Sequence, residues 1–356
     1  MMRPRLRSGL VRTARIATVV LLAAMLLQPQ AAGQGVTFAL FEAYLDSLRL
    51  QAGIPGLSAA VISGDRIVWE RDLGLRDVER SIPIAPNTPY LIADLTQTVT
   101  ATLVLDCAAR GAISLDDRIA RWSSAISEPD ATVRHVLSHT SEGTPGRSFR
   151  YNPARYSALA AVVADCGDAP FPRVLADEIL DRLGMVDSVP GHDAIDPPTR
   201  ELFDSEQRED YARALPRLAI PYRVDAGGRA VRSEYPTRGL TASTGLISTV
   251  RDLARFNAAL DDDLMSAEST RLAWTNGGPG LPFGHGWFVQ SYNGVPVVWH
   301  FGSHQAAFSS LFLKVPDRDL TLILLANSDG LSASFRLGDG DVTSSLFARL
   351  FLRLFV

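Results

Sequence analysis

The sequence predicts an α+β fold with one antiparallel sheet assembled from both ends of the chain. Three observations predict it. Two strand-like runs stand near the front, Leu57–Ile62 and Arg66–Arg71, joined by the turn Ser63-Gly64-Asp65. Four more stand near the end, at Gly286–Gln290, Val295–His300, Ser309–Val315 and Leu320–Ala326, and read as a meander. Between the two groups the patterns are mostly helical, and strands segregated from helices suit α+β rather than an alternating α/β fold.

The helices follow in order. An opening helix over about Phe38–Ala52 puts Phe38, Phe41, Leu45 and Leu48 on one face. A long helix runs from about Leu95 to Arg110 and stops before Gly111. Shorter helices are expected near Thr132–Ser138, Tyr156–Cys166 and Pro172–Leu183. Residues 188–240 are rich in Pro, Asp and Arg and read as long surface loops. Asp252–Leu260 reads as helix, and Ser344–Leu354 closes the chain as a helix with Leu346, Phe347, Leu350, Phe351 and Leu354 as its apolar set.

The 356 residues are 46% hydrophobic and 21% charged, a balance that suits one large globular domain. No internal repeat or low-complexity tract breaks it. An arginine-rich start, the apolar run of 12 from Ile16 through Leu27, and Ala31-Ala32-Gly33 together read as an export signal over residues 1–33. The run is short for a transmembrane helix, which needs about 20 residues. No cysteine follows it, so a lipoprotein anchor is not expected, and a periplasmic or secreted protein without a stable membrane anchor is. An uncleaved anchor is the alternative. Removing residues 1–33 takes five arginines and no acid, so the formal charge falls from −4 to −9. Such a charge argues against a nucleic-acid partner. There is no zinc-type cysteine and histidine spacing and no glycine-rich phosphate loop, so neither metal nor cofactor is expected. Cys107 and Cys166, the only cysteines, both fall in apolar helical patterns. A disulfide and two separate buried thiols are both open.

The stretch Pro89-Tyr90-Leu91-Ile92-Ala93-Asp94-Leu95-Thr96-Gln97-Thr98-Val99-Thr100-Ala101-Thr102-Leu103-Val104 carries the functional signal. It resembles the nucleophile helix of the serine β-lactamase and penicillin-binding-protein family, in the branch with esterases and D-amino-acid peptidases, which reads I-G-S-x-[ST]-K-x-[FV]-T-A-x-L. Further matches follow in order. Ile54–Val61 and Gly64–Trp69 resemble the first hairpin, Gly111–Asp117 the G-x-[IL]-x-L-D-D turn, and Thr132–Ser141 the T-[IV]-R-x-L-L-x-H-T-S block, whose histidines read as structural. Tyr151 aligns with the tyrosine of Y-S-N, with Pro153 at the asparagine position and Asn152 one place early. His300 and Gly302 match the H-x-G of the esterase-like branch. The resemblance implies an antiparallel five-stranded sheet covered by helices plus a helical lobe, with a cleft between them, over residues 34–356.

The two residues that perform the family's chemistry are replaced. Asp94 stands at the serine position and Gln97 at the lysine position. A serine hydroxyl attacks a carbonyl only when a nearby base takes its proton, and a lysine three residues on lies one helical turn away to do so. Gln97 cannot accept a proton near neutral pH. Lys314 is the only lysine, and no serine has a lysine three residues after it. Asp94 has two readings. As a helix cap, its loss in Asp94→Ala costs about 0.5–2 kcal/mol, and Asp94→Ser is nearly neutral. As a carboxylate nucleophile it would attack directly, although its charge should repel an anion forming in the oxyanion hole. Two function classes follow. One is a pseudoenzyme whose cleft binds a small-molecule, peptidoglycan-like or protein partner. The other is a hydrolase of amides or esters with a non-standard nucleophile. The family-equivalent positions are Asp94, Gln97, Tyr151, His300 and Gly302.

Overall fold

A computed structural model describes residues 35–262 and 264–356. The expected export signal at residues 1–33 lies outside the described residues. The chain opens with helix α1 (35–51) and a hairpin of β1 (Gly56–Ser63) and β2 (Arg66–Asp77). Short strands β3 (Ile82–Pro83) and β4 (Tyr90–Leu91) lead to α2 (Thr96–Ala109). Helices α3 (Val133–Leu137), α4 (Pro153–Tyr156), α5 (Leu159–Gly167) and α6 (Phe171–Leu175) follow, the last continuing as a wide π turn over Ala176–Asp181. Next come β5 (Val189–Pro190), α7 (Ser205–Ala214), β6 (Tyr222–Val224), β7 (Ala230–Arg232), β8 (Leu246–Ser248), α8 (Val250–Asp261) and α9 (Ala267–Ala273). The meander β9 (Phe288–Tyr292), β10 (Val295–His304), β11 (Phe308–Val315) and β12 (Leu320–Ala326) precedes α10 (Leu346–Phe355).

The main sheet has the order β3-β2-β1-β12-β11-β10-β9, and every pairing is antiparallel. Its five long strands are those the resemblance implied, and short β3 and β9 extend the edges to seven. β1 pairs with β12 from Leu57↔Ala326 to Ser63↔Leu320, so the two ends of the chain meet at the sheet centre. Both faces are covered, which explains why the central strands are apolar at nearly every position. Leu57, Ala59, Val61, Leu322 and Leu324 pack beneath α1 and α10 with Phe41, Leu45, Phe347 and Phe351. Ala60, Ile62, Phe312, Ile323 and Leu325 pack on the other side with Val99 of α2 and Leu253 of α8. Alternation along a strand sends neighbours to opposite faces.

The expectation of long surface loops over residues 188–240 is corrected. Asp204 and Gln207 form a capping box that starts α7, β5 joins β4 and β8 in a second sheet, and β6 and β7 form a hairpin. Helix α7 buries only Gln207, Tyr211 and Ala214, a stripe too narrow to read as amphipathic. The cysteine alternative is decided: Cys107 of α2 and Cys166 of α5 are bridged, with their Cα atoms 6.2 Å apart. Lys314 is buried on β11, where its ammonium donates to Asp261 at 2.5 Å and Asn257 at 3.0 Å. The only lysine therefore ties α8 to the sheet and is committed there.

Candidate functional site at the start of α2

Helix α2 runs through the middle of the molecule, and every residue from Thr96 to Leu105 is buried. Its threonines satisfy themselves locally. Thr96 donates to Ala93 O at 2.7 Å, Thr98 to Leu95 O at 2.8 Å and Thr102 to Thr98 O at 3.0 Å, while Thr100 reaches Ala242 O at 2.8 Å. A single 3-10 turn, Ala93–Leu95, precedes the helix. Ala93 sits in it at φ 53°, a left-handed conformation that strains any residue with a Cβ.

Asp94 lies within this turn and does not cap the helix, which corrects the capping reading. Leu95 occupies the N-cap position, without a side-chain cap bond. The Ser303 backbone N–H lies near its carboxyl and draws its pKa down against the effect of burial. Ser303 follows Gly302 on β10, and the resemblance of this stretch to the H-x-G strand implies that a backbone N–H near it serves the oxyanion hole. Gly302 is what lets β10 come so close: a Cβ there would lie 2.1 Å from Ile92 O and 2.4 Å from Ser310 Oγ. Ser310 Oγ in turn donates to Ile92 O at 2.7 Å, holding the turn against the sheet. Burial pushes the Asp94 carboxyl up to about 7, against the opposing pull of the Ser303 N–H.

Gln97, one turn along, is fully buried in a chain of neutral hydrogen bonds. Its Nε2 donates to Tyr151 Oη at 3.2 Å, and its Oε1 lies 2.9 Å from His139 Nε2. The Asn152 N–H donates to His139 Nδ1 at 3.2 Å, so His139 carries its proton on Nε2 and donates it to Gln97. Tyr156 Oη donates to Gln97 O at 3.3 Å. Burial, with the nearby His300 ring adding to it, holds His139 well below the usual imidazole range. Burial first, and then the Asp94 charge, raises the Tyr151 phenol well above its usual range. Neither group ionises near neutral pH.

The remaining predicted positions fall around this chain. Asn152 does not fill the role of the displaced asparagine. Its Oδ1 caps α4 through the Arg155 N–H at 3.3 Å and its Nδ2 donates to Glu142 at 2.5 Å, with Pro153 as the first helical residue. His300 is fully buried, 6.1 Å from the Tyr151 ring centroid, with Nδ1 against Phe301 O at 2.7 Å and Nε2 without a partner. Burial lowers it to about 3, so it stays neutral.

Sequence reasoning missed four members of the site. His139 was read as a structural histidine of the H-T-S block, yet its ring contacts Tyr151 at 4.7 Å and completes the Gln97 chain. Ser303 brings its backbone N–H near Asp94, and its position directly after H-x-G was the available signal. Its hydroxyl accepts from Ser332 at 2.9 Å. Thr244 and His304 pair beside it at 2.7 Å, and no motif in the sequence pointed to them. Among the described residues no group of acidic, histidine or cysteine side chains could hold a metal ion.

The sheet built from both chain ends, the buried central helix and the H-x-G strand against its N-terminus define a β-lactamase and transpeptidase-like fold. The chain belongs to the β-lactamase family, whose model matches residues 38–343. It is 25% identical to penicillin-binding protein 4 of Amycolatopsis lactamdurans over 331 residues, covering 82% of this chain and 85% of that protein. It is 22% identical to Protein flp of Staphylococcus aureus (strain MW2), covering 78% of this chain but only 61% of flp's length. The solved structure of the D-amino acid amidase from Ochrobactrum anthropi SV3 superposes with a TM-score of 0.67 at 21% identity, over 88% of this chain and 99% of the amidase. At that identity the likeness is one of fold.

Proposed function

We propose that this chain is a catalytically silent member of the β-lactamase family, an exported protein that uses the family cleft to bind rather than to cleave. One observation carries the reading: a buried carboxyl, that of Asp94, stands where the family has its nucleophilic hydroxyl, with the Ser303 N–H near it. A hydrolytic intermediate needs that N–H for its own oxyanion. Gln97 supports the same reading, because its amide is fixed between His139 and Tyr151 and cannot take a proton. The ligand class is that of the family's substrates, a peptidoglycan-like amide or a small ester, with a protein partner as the other candidate. The Cys107–Cys166 bridge supports export, since disulfides persist in oxidising compartments. Steady-state assays of the purified protein with a chromogenic β-lactam, a p-nitrophenyl ester and a D-amino-acid amide test the proposal. Rates no higher than buffer blanks are expected. Turnover that persists in purified protein and is abolished by Asp94→Asn would replace it with a hydrolase using an aspartate.

A further inference from the structure

Helices α1 and α10 lie side by side over one face of the sheet, and each presents a second apolar stripe outward. On α1, Val36, Leu40, Tyr44 and Leu48 recur every four residues and so share one face. Val36 is 70% exposed, Leu40 43% and Tyr44 55%. On α10, Leu346, Leu350 and Leu354 do the same, with Leu346 41% exposed. These stripes flank the faces that bury Phe41, Leu45, Phe347 and Phe351, and Leu48, Leu350 and Leu354 are themselves partly packed against that core. The stripes border a groove of about 500 Å³ that Arg349 and Arg353 also line.

Charge tells what fits there. Arg349 and Arg353 form no ion pair among the described residues, although most arginines of this chain do. Asp341 lies in the field of Arg349 without pairing with it. The acids of α1 are spent elsewhere: Glu42 pairs with Arg71 and Asp46 with Arg49. No acidic side chain lines the groove. A second copy docked through this face about a two-fold axis would set arginines against arginines with nothing between them. An anionic surface would pair them.

We propose that the outer face of α1 and α10 is a reversible docking surface for an anionic lipid bilayer. The valine, leucine and tyrosine side chains enter the headgroup boundary, and Arg349 and Arg353 meet lipid phosphates. No described helix is long and apolar enough to cross a membrane, so this contact lies on the surface. It would hold the cleft near the membrane face independently of what the cleft does.

Co-sedimentation of the purified protein with vesicles tests this. The probes are phosphatidylglycerol mixed with phosphatidylcholine, and phosphatidylcholine alone. Binding to the anionic vesicles should be at least about ten-fold tighter, and should weaken as salt is raised. The double substitution Arg349→Glu/Arg353→Glu should remove that preference with an unchanged thermal melt, because both side chains are exposed. Leu350→Ser should weaken binding to the same vesicles several-fold. Three results would overturn the proposal. One is no vesicle binding by the wild type. Another is binding that ignores lipid charge and survives the double substitution. The third is a dimer in light scattering that Leu350→Ser dissociates, without vesicle binding.

Discussion

Asp94 and Gln97 stand one helical turn apart at the entrance of α2, where the family keeps its nucleophile and its base. Both are nearly closed to solvent, yet their surroundings treat them differently. Gln97 is a neutral amide with both ends occupied, between His139 and Tyr151. Asp94 is a buried acid with the Ser303 N–H near it and no cation among the groups that shift it. A buried polar group costs little when every hydrogen bond is made, and a buried charge costs much when it is not paired. Gln97 therefore adds no titrating group, while Asp94 stores a pH-dependent instability. On the proposed reading neither starts acyl transfer, for different reasons.

The largest expected effect tests the Asp94 half. Its folded carboxyl sits at about 7, above the ordinary 3.8, so the folded state binds a proton that the unfolded chain has already released. The stability associated with this group is present below about pH 4 and is lost as pH rises to about 7. Over that window the loss is on the order of 4 kcal/mol, at about 1.4 kcal/mol per unit. Buried histidines work in the opposite sense: His300 at about 3 and His304 at about 4 lose stability as pH falls below their usual range. The Asp94 contribution is therefore read as the difference between wild type and Asp94→Asn in urea melts from pH 4 to 8. Asn should be the more stable form at pH 8, with the gap closing towards pH 4. A gap independent of pH would mean that the carboxyl is not the source. The same reasoning reverses the expectation for a helix cap, because Asp94→Ala should not destabilise at pH 8.

Gln97→Ala tests the other half. It leaves His139 Nε2–H and Tyr151 Oη without partners and opens a small cavity, at a cost of about 2–4 kcal/mol. Unlike the Asp94 effect, it should be nearly flat between pH 7 and 9, since neither neighbour titrates there. A loss under about 0.5 kcal/mol would show that water replaces the amide and that the chain of hydrogen bonds is not built around Gln97.

The smallest effect concerns the turn that aims Asp94. Ala93 holds φ 53°, where glycine carries no Cβ penalty. Ala93→Gly should stabilise by about 0.5–1 kcal/mol after the entropic cost of glycine is subtracted. Destabilisation would mean that Ala93 Cβ packing against β10 outweighs the strain.

Much of this was legible in the sequence, for physical reasons that also mark where reading failed. The five long strands and α2 were legible as near-continuous apolar runs of the right length, because the central strands are covered on both faces and nearly all of α2 is buried. The replacement of serine and lysine was visible from local spacing alone. The partner of Asp94 was not, since Ser303 is more than two hundred residues away and contributes a backbone N–H that no side-chain pattern encodes. His139 hid within a block whose spacing says only that it is near α3. Helix α7 hid because its buried stripe is three residues wide. Whether Cys107 and Cys166 met depended on how α2 and α5 pack, which apolar periodicity does not specify.

Intact-mass spectrometry after incubation with a penicillin and an activated ester tests the central claim most directly. The wild type should gain no acyl mass. Asp94→Ser should gain little, because Gln97 still cannot take the proton, and Asp94→Ser with Gln97→Lys should gain more than either single change, since the pair acts as a unit. An acyl adduct on the wild type that disappears in Asp94→Asn would contradict the account and make Asp94 the nucleophile.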